Sequence, residues 1–358
     1  MHCAKKAIRY LCAIAACAIL LPLLGCAGKQ DPPVTGTDDD ISAGMTPEST
    51  IDTTSEKETT DMIQPASNAV NYRDKKCMWL SQFDLNKVYT NGGKQRDRAQ
   101  FEKYIKKILA NVKDNGINTI IVQVRPYADS MYPSDVYPMS SYVVGAYGNE
   151  ADYDPFEIII NEGHAAGLSV HAWINPMRAM LVKEITKVPE RFLIRQWYND
   201  TAKRGKYLVT VSDRVYLNPA YPEVRQLITD GAAEILERYA VDGLHMDDYF
   251  YPTTDASFDT AAYAAYKKDG GKLSLADYRR ECLSLLVSEL YRKTKEAGSD
   301  ILFGISPAGN INTVYEKQYA DVYRWCSEDG YLDYICPQVY FGLEHQTYDF
   351  KKVSNTFA

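Results

Sequence analysis

The segment VDGLHMDDYFYP, residues 241–252, alternates apolar and polar side chains and then ends in two adjacent carboxylates followed by aromatics. Acid–base cleavage of a glycosidic bond needs two carboxyl groups, one protonated and one ionised. Asp247 is the first candidate for the ionised partner, as nucleophile or base. Asp248 follows where strand gives way to loop, placed to act as the acid or to orient Asp247 and a sugar hydroxyl. Two further acids, Asp129 and Glu344, lie in loops of the same polarity. Glu344 is the longer and less paired of these, suited to a raised pKa, and joins Asp247 and Asp248 as a catalytic candidate. His171 and His245 fall one layer deeper, where a hydrogen-bonded core histidine is the better reading. The set His245-x-Asp247-Asp248 admits a metal reading, but its ligands are few and no cysteine adds to them, so neither metal nor cofactor is expected.

These residues need strands to aim them. Six β-rich runs, at 77–84, 118–125, 168–175, 242–248, 301–306 and 333–340, alternate with amphipathic helical patterns, which implies a parallel sheet. Asp154-Pro155 supplies an N-cap and a first-turn proline, and Gly167 closes that helix. Phe101, Ile105, Ile108 and Val112 form one stripe ahead of Gly116, and Tyr221-Pro222 opens a helix whose Val224, Leu227, Ile228, Ile235 and Leu236 face inward. Within the strands, Val170, Ala172 and Ile174 alternate with His171, Trp173 and Asn175, and Leu244 and Met246 with His245 and Asp247. An apolar series facing helices and a polar series converging on an axis describe a (β/α) barrel of the TIM type, whose active sites lie at the carboxyl ends of the strands. Arg125, Asn175, Asp247, Ser306, Gln338 and Tyr340 all fall there, and Arg125 is expected near enough to Asp247 to lower its pKa. Six strands are counted where a closed (β/α)8 barrel has eight, so the barrel reads as truncated after about the sixth.

Glycan contacts are assigned to Arg125, Asp129, His171, Trp173, Asn175, Arg178, His245, Tyr249, Ser306, Gln338 and Tyr340. The stretch from Pro176 to Ala220 is long for a βα loop and reads as carrying a hairpin, KYLVTVSDRVYLN. Aromatics crowd the loops after the second and third strands (Tyr127, Tyr132, Tyr137, Tyr142, Tyr147, Trp197, Tyr198). They either stack on sugar rings or pack the loops onto the barrel.

The first 69 residues have another character. Lys5, Lys6 and Arg9 precede an apolar run from Leu11 to Leu24, too short and too early for a spanning helix, which ends LLGCAG. Residues 1–26 read as a lipoprotein signal peptide with Cys26 as the lipidated residue. Residues 27–69 lack aromatics and are rich in Thr, Ser, Asp, Glu and Pro, the composition of a disordered acidic tether. Residues 70–358 hold the barrel. The expected location is therefore extracytoplasmic, anchored to the cell membrane by lipid. A formal net charge of −7 excludes a nucleic-acid partner, which would require basic patches. Cys77, Cys282, Cys326 and Cys336 sit within apolar patterns and read as small buried hydrophobes, with one disulfide left open.

With these residues in place, the chain resembles the glycosyl hydrolase-like family ten of bacterial surface proteins. The resemblance rests on QVRPYADSMYPS, HAWINPMR, YLNPAYPEVR, VDGLHMDDYFYP, FGISPAGN and DYICPQVYFG in that order, over about residues 72–350. SPAGN departs from the family's SPFG form. The resemblance implies a TIM-type barrel, glycoside hydrolysis of cell-wall (peptidoglycan) glycan or a related polysaccharide, a longer chain, and cell-division or cell-wall proteins as partners. Two rival readings stand beside it: a non-catalytic carbohydrate-binding or cell-wall scaffold protein, and a metal-dependent hydrolase that would need more histidines at one mouth.

Overall fold

The computed structural model describes residues 69–357 and the backbone of Tyr10–Leu11. Apart from that pair, the signal-peptide assignment, together with Cys26 and the tether up to residue 68, lies outside the described residues.

Six short parallel strands form a curled sheet in chain order: β1 (Cys77–Leu80), β2 (Thr119–Arg125), β3 (Ser169–Ile174), β4 (Gly243–Met246), β5 (Leu302–Ile305) and β6 (Tyr334–Ile335). Tyr10–Leu11 pairs in parallel beyond β6. The crossovers include α1 (Arg98–Asp114), α2 (Pro155–Ala165), α3 (Pro222–Arg238) and α4 (Leu275–Ala297). This is the expected α/β architecture, a curled parallel half-barrel of six strands. Local chemistry sets the helix ends. Asp154 accepts the amides of Phe156 and Glu157, Pro155 occupies the first turn, and Gly167 takes the left-handed conformation (φ 68°) after the helix. On α1 the buried stripe is Phe101, Ile105, Leu109 and Val112, while Ile108 is only half-buried beside it.

The two faces of the sheet divide as the alternation requires. Leu244, Met246, Phe303 and Ile305 are fully buried beneath the helices. The inner face is filled by rings. Tyr334 Oη lies 2.8 Å from His171 Nδ1 and 3.0 Å from His245 Nδ1. His171 Nε2 reaches Asn71 Oδ1 at 3.1 Å, and His245 Nε2 reaches Ser306 Oγ at 2.7 Å. Two glycines make room for these rings. A Cβ on Gly304 would lie 2.0 Å from the Tyr334 ring, and one on Gly243 would lie 2.5 Å from the His171 ring. Cys77 and Trp79 of β1 pack against Tyr334 and Cys336 from β6 and its end, so the curl brings the inner faces of the first and last strands together.

The floor is sealed by the chain's approach to β1. Ala69 N donates to Asp300 at 2.6 Å, and Val70 N donates to Asp242, also at 2.6 Å. Asn71 Nδ2 donates to the Asp242 carbonyl at 2.8 Å. At the opposite end, the long insertion after β3 folds into a three-stranded antiparallel sheet of Arg178–Leu181, Leu208–Val211 and Arg214–Leu217. The last two strands are the expected hairpin, turned at Ser212 with φ 58°.

Candidate active site

Asp247 emerges where β4 ends and is only 3% exposed. Its Oδ2 accepts from Trp173 Nε1 at 3.1 Å and Asn175 Nδ2 at 2.6 Å, and its Oδ1 accepts from Tyr249 N at 3.2 Å. Asn175 is itself fixed: its Oδ1 accepts from Gln123 Nε2 at 2.7 Å, and Gln123 Oε1 accepts from Gln82 N at 3.2 Å. A chain of amides thus runs from the end of β1 through β2 and β3 to the carboxylate on β4, setting which atom of Asn175 faces it. Burial pushes the Asp247 carboxyl up to about 7, and the neighbouring Asp248 charge adds to the rise. The three hydrogen bonds favour the ionised form and lose to burial. Asp248, half-buried, is also raised by burial, opposed by the Gln338 amide and the Arg178 guanidinium. Two adjacent carboxyls at one opening, both shifted toward holding a proton, can share acid and base roles near neutral pH.

The rim is aromatic and cationic. The Arg178 guanidinium sits 4.0 Å from the Tyr249 ring centre and 4.9 Å from that of Tyr127. Tyr249 is 40% exposed and Tyr340 is 70% exposed, and both feel the charges of the carboxyl pair. Gln338 Nε2 donates to the Ser306 carbonyl at 3.0 Å, tying the end of β6 to the end of β5.

Trp173, Asn175, Arg178, Tyr249, Gln338 and Tyr340 therefore gather with Asp247 and Asp248 as expected, but several other candidates do not. Arg125 is the largest correction. The β2–β3 register slips between Gln123 and Arg125, so Arg125 pairs opposite Ile174, a helix-facing residue, rather than continuing the axial series. Its side chain lies among the helices, donating to the Ile228 carbonyl of α3 at 3.2 Å with Tyr137 at 4.8 Å. Gly231 of α3 leaves the space, since a Cβ there would lie 2.7 Å from Arg125 Nη1. The expected lowering of Asp247 by Arg125 is accordingly replaced by a rise through burial. Glu344 stands exposed on the loop after β6. Asp129 is fully buried, accepting from Tyr127 N at 2.9 Å and Tyr147 Oη at 3.0 Å, and serves as a loop latch. His171, His245 and Ser306 belong to the inner hydrogen-bonded layer. Burial lowers both histidines, His245 to about 3, which keeps them neutral.

Both ring nitrogens of His245 are committed, to Tyr334 and Ser306, which removes it from any metal set with Asp247. Among the described residues no three His, Cys, Asp or Glu side chains group to hold a metal ion. Of the loop aromatics, Tyr127, Tyr132, Tyr137, Tyr147 and Trp197 are buried and pack the loops down.

One buried ion pair escaped the sequence reading. Arg279 of α4 bonds Asp259 at 2.7 Å with both side chains fully buried, and also donates to the Asp255 carbonyl and Tyr319 Oη. It pins the loop that follows Asp247-Asp248. Its signal was an arginine set within an apolar helix stripe of Tyr278, Cys282, Leu283 and Leu286.

Comparison with known proteins agrees with this geometry. The chain is 34% identical to glycosyl hydrolase YngK of Bacillus subtilis, over 77% of this chain and 56% of that protein. It is 32% identical to glycosyl hydrolase DigH of Escherichia coli K12, over 77% of this chain and 68% of that one. The chain thus spans little more than half the length of the first relative. The glycoside hydrolase domain of PgaB from Bordetella bronchiseptica superposes with a TM-score of 0.50 at 13% identity, covering 74% of each chain, a likeness of fold. The family described as Glycosyl hydrolase-like 10 matches residues 75–357, and the chain belongs to that family.

Proposed function

We propose that this protein hydrolyses glycosidic bonds of cell-wall glycan or a related extracytoplasmic polysaccharide, with Asp247 as the proton donor and Asp248 as its ionised partner. The observation that carries the reading is the adjacent carboxyl pair at the barrel mouth, with Asp247 pushed up to about 7 by burial. Between them the two carboxyls retain one proton near neutral pH, the state acid–base cleavage requires. Asp247 passes its proton to the departing glycosidic oxygen as the C–O bond breaks. The Asp248 carboxylate stabilises the positive charge growing at the anomeric carbon, and water supplies the hydroxyl that completes the new reducing end, its remaining proton restoring the Asp247 carboxyl. Asp247 leads because it is the more deeply buried, while Asp248 has the Arg178 charge nearby.

The assay is release of reducing ends from peptide-stripped cell-wall glycan. Asp247→Asn is expected to lose about 10²–10⁴-fold in turnover while keeping most of its glycan affinity. Unchanged turnover would remove Asp247 from the chemistry, and binding without turnover in the wild type would favour the non-catalytic binding reading. Lipid anchoring through Cys26 is part of the same proposal, supported by the LLGCAG sequence and the acidic stretch after it. Cys26→Ser is expected to move the protein from the membrane to the soluble fraction.

A further inference from the structure

The insertion after β3 holds two arginines against one ring, and one of them, Arg178, lies within the field of Asp248. The Arg178 and Arg214 guanidiniums lie 4.9 Å and 4.6 Å from the centre of the same ring, Tyr127, and Arg178 also covers Tyr249. They sit on paired antiparallel strands, Arg178 opposite Tyr216 and Arg214 opposite Leu181. Tyr127 is fixed beneath them by a bond from Gln82 Nε2 at 3.0 Å. Arg178 Nε is buried without a hydrogen-bond partner, and Arg214 gives Nη1 to the Ala179 carbonyl at 2.7 Å.

Neither arginine forms an ion pair with a carboxylate among the described residues. Arg225, Arg238, Arg279, Arg280 and Arg324 each have a carboxylate oxygen within 3.3 Å, whereas Arg125 and Arg195, like Arg178, keep a buried N–H without a partner. Arg178 differs from those two in lying within the field of Asp248. The nearby acids are otherwise engaged. Glu184 accepts the Leu181 amide, and Asp248 lies within the Arg178 field without bonding it. Two cations held over one tyrosine repel each other, and an unmet buried guanidinium N–H is costly. In a chain of net charge −7, such a pair is poised for an anion from outside.

We propose that Arg178 and Arg214 form an anion clamp that selects glycans bearing a carboxylate close to the scissile bond. This deepens the glycosidase reading and rests on it for the word scissile. The chemistry required of the ligand is a carboxylate next to a sugar ring: guanidinium forks receive the carboxylate, and Tyr249 and Tyr127 hold the forks in plane. Such a group occurs in uronic acids and in lactyl ethers of amino sugars. Neutral glycans would leave the clamp unmet and bind more weakly.

The test is calorimetric binding to the full chain carrying Asp247→Asn, which prevents turnover. The probes are a polyuronate oligosaccharide and peptide-stripped cell-wall glycan, each beside its carboxyl-reduced counterpart. At least one carboxylated probe is expected to bind about tenfold or more tightly than its reduced form, with a preference that shrinks as salt rises. The probe showing the larger preference identifies the source of the carboxylate. Arg214→Gln should erase the preference while leaving affinity for the reduced probe within about twofold; Arg178→Gln should erase it as well, and Arg178→Lys should keep part of it. Equal affinity for carboxylated and reduced forms, equal weakening of both by Arg178→Gln in a variant with unchanged thermal melting, or no binding of any probe would each overturn the clamp. Turnover is then read on wild-type protein. An intact preference with no hydrolysis sinks the glycosidase reading alone, whereas hydrolysis without preference sinks the clamp alone.

Discussion

In the middle of the barrel, His171, His245 and Tyr334 form a network whose ring nitrogens are all hydrogen-bonded, closed off by Asn71 below and Ser306 above. Beyond it, Asp247 and Asp248 at the end of β4 and Arg178 and Arg214 on the inserted antiparallel sheet hold like charges together and leave a buried N–H unmet. Both layers are polar, but the parallel sheet builds the first alone and shares the second with the insertion after β3. The middle layer uses its polarity to fix which rings stack where. The mouth holds its polarity against its own stability, the usual mark of a site waiting for a ligand.

The two layers should answer acid in opposite directions. Asp247 in the folded protein titrates near 7, above its ordinary 3.8, so its stability contribution is fully present below about 3.8 and is lost as pH rises through about 7. His245 titrates near 3, below its ordinary 6.5, so its contribution is fully present above about 6.5 and is lost as pH falls toward 3. The largest expected break of this contrast is Asp247→Asn. Besides its loss of turnover, it should gain stability at pH 8, up to about 4 kcal/mol, and little at pH 4, as read by denaturant unfolding. Equal gains at both pH values would show that burial does not hold the carboxyl up.

Arg279→Leu comes next. It strands Asp259 as a buried charge and should cost about 3–5 kcal/mol in unfolding free energy. A loss below about 1 kcal/mol would mean that the loop after Asp248 is held otherwise. Gly304→Ala tests the middle layer directly. Its methyl meets a tyrosine ring hydrogen-bonded to two histidines, and a cost of about 1–3 kcal/mol is expected in thermal melting. The smallest effect belongs to Tyr340→Ala at the open rim, with stability within about 0.5 kcal/mol of wild type. Its glycan binding should weaken by about 1 kcal/mol, the scale of an aromatic contact. Unchanged affinity would take Tyr340 out of the glycan path.

Sequence alternation carried the reading as far as strand phase stayed regular. On β3 and β4 the polar series led correctly to Trp173, Asn175 and Asp247. On β2 a single slip between Gln123 and Arg125 reversed the phase, and nothing in VQVR betrays it, because Val124 and Arg125 are buried on either count. The sign of the Asp247 shift was equally invisible. It depends on how completely six strands and their loops exclude water, a property of the closed arrangement and not of neighbours in the chain. Glu344 shows the complementary limit: loop position says little about burial, and this loop leaves it in solvent. Arg178 was legible as a contact residue, but its pairing with Arg214 depends on a sheet between strands 36 residues apart at the two arginines.

The seal at the base of the barrel has a directional meaning. Residues 69–71 are stitched to Asp242 and Asp300, beside the amino ends of β4 and β5, so the polypeptide arrives at one pole while the carboxyl pair opens at the other. Whatever is joined to the domain through residue 69 is therefore joined at the pole away from Asp247 and Asp248, and that opening is left clear of the point of attachment.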